Sequence, residues 1–317
     1  MFTRYIFMKT LIVFAAIIFI ATFSGCIERQ DTPPDSVRPD LISEENGNRI
    51  FGNVSDTAAV SPGEIWIQGL GTFTFNPEEI KTVREDIFQE GYFSIFDILV
   101  HLEDTEQIEL DYYFDPDMNT YVIVDLNGHD NWWYDARYDG GWRERSVFRM
   151  DHYPYKDNMS LRIVRESSSR LESIYETYRD EIIRKEENDG KVIVPEVIIT
   201  GTQETLVFEN VEVKAHDLRS DMFQPGVITA IDTILTLGEE GKISYDLRWY
   251  ESIGSADVVQ SYWVERINHD QSHLRCGFVY EAGDWNFELF RGNHNHIPSD
   301  IRVINSPEYV MYFWICI

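Results

Sequence analysis

Apolar and polar residues alternate early in the chain: Ile65 and Ile67, then Phe73 and Phe75, fall on one face at the strand period. The pattern then changes. Ile95, Phe96, Ile98, Leu99 and Leu102 form a helical apolar stripe, Ser94 stands at its N-cap, and Asp97 sits three residues on, where a capping-box acid belongs. Further strand-like segments follow, with turns at Asn127-Gly128 and Asp139-Gly140-Gly141, and a strand from Ser160 to Val164. From Arg165 to Asn188 the period is again helical. Leu171, Ile174, Tyr175, Tyr178 and Ile182 share one face, and Gly190 marks the stop. Tyr309 to Ile315 is a continuous apolar run, which predicts a strand buried on both faces.

These elements come twice. Asp86-Ile-Phe-Gln-Glu-Gly91 recurs as Asp221-Met-Phe-Gln-Pro-Gly226, and at the same spacing Ser94 to Leu102 recurs as Thr229 to Leu237, carrying Asp97 over to Asp232. Gln68-Gly69 answers Thr200-Gly201, Tyr121 to Asn127 answers Tyr262 to Asn268, and Gly141-Trp142 answers Asp284-Trp285. Phe148-Arg149-Met-Asp-His152 aligns with Phe290-Arg291-Gly-Asn-His294, and Leu161-Arg162-Ile163 with Ile301-Arg302-Val303. The predicted organisation is a repeat domain over 62–165, a connecting helix over 166–190 and a second repeat domain over 191–317.

The first 25 residues read as a lipoprotein signal peptide; the alternative is an uncleaved membrane helix over the apolar stretch from Ile6 to Phe23, which Lys9 interrupts. Arg4 and Lys9 flank an apolar run from Leu11 to Phe23, and Phe23-Ser24-Gly25 leads into Cys26. This end resembles the bacterial and archaeal lipobox, with Phe where Leu is usual; the resemblance makes Cys26 the lipidated residue. Residues 26–61 contain Pro33, Pro34 and Pro39 among acids and polar groups, and read as a linker. The expected location is the outer face of a cell membrane, with the membrane itself as a partner through the lipid anchor.

A strand pair, one short helix and more strands is the order of an α+β, β-grasp-like unit with a mixed sheet. Ser94-Ile-Phe-Asp97-Ile-Leu99, Val122 to Gly128, Trp132-Trp-Tyr134 to Gly141, and Tyr155-Lys-Asp157 before Leu161-Arg-Ile163 resemble the transcobalamin C-terminal-like domain family. The first repeat has Asp139-Gly140 where that family has Asn-Gly, and the second lacks Trp before Val279-Tyr280. The resemblance implies two tandem β-grasp folds. In some relatives one face contacts cobalamin, but no residue here matches such a ligand, so no cofactor is carried over.

Composition narrows the partners. The chain has 317 residues, 43% hydrophobic, with 17 Tyr, 19 Phe and 8 Trp, enough for packed cores. Against 27 Lys and Arg stand 55 Asp and Glu, a formal charge of −28, which argues against nucleic acid, where basic side chains must meet phosphates. Trp132, Trp133 and Tyr134 beside glycine turns offer an aromatic platform, and the pairs Arg149/His152 and Arg291/His294 offer donors for a carboxylate or phosphate. The alternative for each is core packing or loop support. His269, His273, His294 and His296 have spacings too loose to assign a metal, and Asp115-x-Asp117-x-Asn119 lacks the glycine and glutamate of a calcium loop. Cys276 and Cys316 are a possible disulfide. There is no P-loop, no nucleophile elbow and no HExxH. The expectation is a non-catalytic binding module for a small ligand or an envelope protein, with a purely structural envelope protein as the alternative.

Overall fold

A computed structural model describes residues 41–54, 61–139, 141, 145–287, 292–294 and 296–316. The signal segment, Cys26, Trp142 and Arg291 lie outside them. Among the described residues the architecture is α+β, with three α-helices and mixed sheets, and no helix is long and apolar enough to cross a membrane.

The first element corrects the linker expected over 26–61. β1 (Leu41–Glu45) and β2 (Asn48–Phe51) form an antiparallel hairpin. Asn46 and Gly47 turn it with φ of 53° and 82°, the left-handed pair that matches the twist of two strands. That Asn-Gly is a local hairpin signal, masked in the sequence by the prolines and acids before it.

β3 (Gly63–Ile67) and β4 (Gly71–Phe75) make the next hairpin and bury Ile65, Ile67 and Phe75. α1 (Ile95–Asp104) follows with the expected box: the Asp97 N–H donates to the Ser94 hydroxyl (3.2 Å), and the Ser94 N–H to the Asp97 carboxylate (2.6 Å). β5 (Leu110–Asp115) and β6 (Thr120–Leu126) form a two-stranded antiparallel sheet. β7 (Trp132–Arg137) and β8 (Ser160–Arg165) complete a four-stranded sheet of order β4-β3-β8-β7, in which β3 and β8 run parallel. α2 (Ser168–Glu186), capped by Ser167, then buries Leu171, Ile174, Tyr178 and Ile182. It stops where Gly190, at φ 81°, donates back to the Lys185 carbonyl (2.9 Å).

The second half runs β9 (Val192–Thr200), β10 (Thr205–Val213), α3 (Asp232–Glu239), β11 (Tyr245–Tyr250), β12 (Ser261–Ile267), β13 (Asp270–Gln271), β14 (Cys276–Gly283) and β15 (Tyr309–Cys316). Its four-stranded sheet has the order β10-β9-β15-β14, with β9 and β15 parallel, so the arrangement of the first sheet recurs strand for strand. α3 begins at Asp232 instead of just after Thr229, but Thr229 still donates its N–H (2.7 Å) and hydroxyl (2.9 Å) to the Asp232 carboxylate.

The registers correct two expected matches. Ile65 faces Leu161 and Val197 faces Val310, so Val310-Met311-Tyr312 takes the place of Leu161-Arg162-Ile163; Ile301-Arg302-Val303 lies outside the strand. Tyr134 pairs with Ile163 and donates its hydroxyl to the Phe148 carbonyl; Tyr280 pairs with Tyr312 and donates to the Ile297 carbonyl (2.6 Å). Phe148 therefore corresponds to Ile297, and Arg149 and His152 to Pro298 and Ile301. The loops before β15 differ in length, which hid this spacing.

β11 and β12 likewise repeat β5 and β6, with a bulge at the same place: Asp111 faces Asp125 and Asp246 faces Arg266 just before it. Here β2 adds to the outer edge of β11 as a parallel strand, Arg49, Ile50 and Phe51 facing Asp246, Leu247 and Arg248. The Asn48 side chain donates to the Gly238 carbonyl (3.1 Å) and accepts from the Tyr245 N–H (3.0 Å). Arg49 Nε (2.9 Å) and Arg266 (2.7 Å) both donate to Asp246.

Two outcomes follow. Cys276 and Cys316 face each other across β14 and β15 and are joined by a disulfide spanning a sequence separation of 40. Reduction should cost about 2–4 kcal/mol of stability, read as a lower urea midpoint; an unchanged midpoint would mean the natural thiols are unpaired. Burial pushes the Asp246 carboxyl up, but hydrogen bonds from Arg266 and Arg49 outweigh it and hold it below the usual aspartate range. The grip is therefore complete above about pH 4 and is lost as pH falls through the lowered value. Amide exchange in Asn48–Phe51, corrected for its intrinsic pH dependence, should accelerate in that acid window, and Asp246→Asn should bring the faster exchange to neutral pH.

Candidate functional site: two buried arginine clusters

The aromatic residues expected at a ligand rim lie in the interior. Trp132, Trp133 and Tyr134 are 2%, 6% and 0% exposed. Trp132 donates its indole N–H to the His129 carbonyl (2.7 Å) and Trp133 to the Ser146 carbonyl (2.8 Å). Tyr175 of α2 meets Trp133 edge-on at 6.3 Å, while Tyr153 closes on Tyr134. These rings hold β7 against the 146–153 segment and α2, and their polar atoms are spent on carbonyls.

The basic pair also separates. Arg149 Nε donates to the Met118 carbonyl (2.9 Å), while its other nitrogens reach Glu181 and the Tyr178 carbonyl of α2. Its guanidinium lies 4.1 Å from the Tyr178 ring centre. His152 turns to Arg84 and Asn119 instead. His294 lies in the second half, with Nδ1 3.7 Å from the buried Glu281 and its ring against His296 and Phe313. Among the described residues no three His, Cys, Asp or Glu side chains gather as a metal site.

What the fold does assemble is a pair of buried arginine clusters. Arg84, 2% exposed, donates to Asp86 (2.8 and 2.7 Å), to Asp151 (2.5 Å) and to the Asn119 carbonyl (3.3 Å). Arg219, 4% exposed, donates to Asp221 (2.9 and 2.8 Å), to Asp300 (3.0 Å) and to the Gln260 carbonyl (3.2 Å). Asp151 also accepts from the Tyr121 N–H, and Asp300 from the Tyr262 N–H. Each guanidinium thus ties the Arg-x-Asp segment, the strand β6 or β12, and the segment before β8 or β15. The recurrence of Arg84-x-Asp86 as Arg219-x-Asp221 was present in the sequence two residues upstream of the repeat already read. The partners Asp151 and Asp300 were not legible, because the loops between change the spacing.

Between the clusters the repeat motifs meet each other. Phe88 and Phe223 form an antiparallel bridge, their rings 5.6 Å apart. The Gln89 N–H donates to the Met222 carbonyl and the Gln224 N–H to the Ile87 carbonyl, both at 2.8 Å. The Gln89 side chain donates to the Phe223 carbonyl (3.1 Å), and that of Gln224 to the Phe88 carbonyl (3.0 Å). The same residues in both halves make the same bonds in exchange. Lys156, 4% exposed, crosses the same junction, donating to the Val259 and Gln260 carbonyls.

One cavity lies where α2 and the two halves converge, lined by Arg149, Tyr178, Glu181, Asp284, Asn293 and Arg302. At about 20 Å³ it has room for about one water molecule. The ionisable groups here serve one another and the backbone, an arrangement that positions segments.

Compared with family models, with curated proteins and with solved structures, the chain matches none.

Nε2 of His152 lies 2.7 Å from the Arg84 guanidinium, which has only donors, and 3.0 Å from the Asn119 carbonyl, which only accepts. Burial, then Arg84 and Arg149, holds the His152 pKa well below the ordinary histidine value. Below about pH 6.5 the unfolded chain takes up a proton that the native chain refuses, so stability falls by up to about 1.4 kcal/mol per pH unit. His152→Gln should flatten this part of the stability–pH curve measured by urea unfolding. Equal slopes in the two proteins would refute the buried neutral imidazole.

Proposed function

We propose that this chain is an extracytoplasmic lipoprotein in which two tandem β-grasp-like copies, resembling transcobalamin C-terminal-like domains, act as a non-catalytic binding module. Acylated Cys26 holds it on the outer face of the membrane, and the linker after it ends before the β1–β2 hairpin. The observation that carries the domain reading is the recurrence of one strand order and one register in 63–165 and 192–316. The location rests on the basic flank, apolar run and small residues before Cys26.

The partner in this reading is another protein rather than a small molecule. What supports that choice is the interior position of Trp132, Trp133, Tyr134, Arg149 and His152, which removes them as a rim for a small ligand. Three of the apolar side chains that do reach solvent, Tyr113, Phe114 and Val124, lie together on the β5–β6 pair.

Labelling cells with a tagged fatty acid tests the anchor. The wild-type chain should carry the label and sediment with membranes, and Cys26→Ala should lose both properties. An unlabelled, intact amino end on the wild-type chain would overturn the lipoprotein reading. Two acyl chains hold a protein firmly where one holds it marginally, so release by the variant should be nearly complete.

A further inference from the structure

β5 and β11 are counterparts, yet among the described residues only β11 has its outer edge filled. β11 takes β2 as a parallel strand, whereas β5 pairs among the described residues with β6 alone. The difference reaches the side chains. Asp246 stands opposite Arg266 and receives Arg49 from the added strand. In the first half Asp111 stands opposite Asp125, and among the described residues neither has an ion-pair partner. Two carboxylates facing each other across a strand pair repel, and this pair lies where its counterpart is neutralised from two sides. Next to it Tyr113, 49% exposed, occupies the position that Arg248 holds against Phe51.

We propose that the free edge of β5 is a docking site for an extended segment of a partner protein that adds as a parallel strand, with a basic residue at Asp111 and Asp125 and apolar residues after it. The second half of the same chain displays the required pattern in Arg49-Ile50-Phe51. Main-chain bonds to an open edge supply affinity, and the charge at one position supplies register. The inference rests on the binding-module reading and names the surface that does the binding.

The probe is a synthetic peptide spanning Leu41 to Gly52, added to the purified full-length chain, with amide exchange followed by mass spectrometry. At saturating peptide, exchange over Leu110–Asp115 should slow by about tenfold or more. The same peptide with Arg49→Glu should give no protection, and the chain with Asp111→Lys should lose most of it; Asp111 is exposed, so the fold tolerates the change. Unchanged exchange at β5, equal protection by both peptides, or protection confined to Tyr245–Tyr250 would each overturn the proposal. Fatty-acid labelling at Cys26 is independent of this edge, so the pairing can fail while the anchored module stands.

Discussion

A guanidinium that has left water must find its oxygens inside the protein, and Arg84 and Arg219 each collect theirs from three separated segments. Removing one partner from such a pair is strongly destabilising, since the remaining charge is stranded. A well-packed apolar core could be as stable, but it would not give each segment a directional partner. The charges specify where the Arg-x-Asp turn sits against the second strand pair and against the approach to the last strand. The rest of each half is hung on that placement: the helix is capped beside it, and the closing strand enters its sheet at a defined register.

The two clusters lie on either side of the Phe88–Phe223 bridge, and the junction has the exchanged bonding of an approximate two-fold. Homodimers make such isologous contacts between identical surfaces. Here the surface is a motif that the chain carries twice, so the contact forms within one molecule. Asp86, Phe88 and Gln89 recur where each has a duty at this junction or beside it.

How much of this could be read from the residues depended on the reach of each interaction. The capping box at Ser94 and Asp97, the stop at Gly190 and the strand expected over Tyr309–Ile315 are decided within a few positions and were legible, although Met311, Phe313, Trp314 and Ile315 of that strand are half-buried where full burial was expected. The burial of Trp133 was not, since it depends on Tyr175 and on Ser146, which arrive from other elements. The pairing of Arg84 with Asp151 spans loops whose lengths differ between the halves, so the alignment drifted after β12 and matched Arg149 to Arg291 where the fold puts Pro298. The Asn46-Gly47 turn was local and readable. The prolines and acids of the preceding segment give that stretch the composition of a linker all the same.

In both sheets the strand that completes the centre lies far along the chain from its parallel neighbour: β8 from β3, and β15 from β9. Until that partner arrives, one side of β9 has no sheet to join. A ribosome delivering this chain would release most of the second half before its sheet could close, and the entropy of that closure delays assembly further. Folding of this half is thus tied to the arrival of β15 more than to the emergence of β9. A chain with that schedule stays pliable while it is being made.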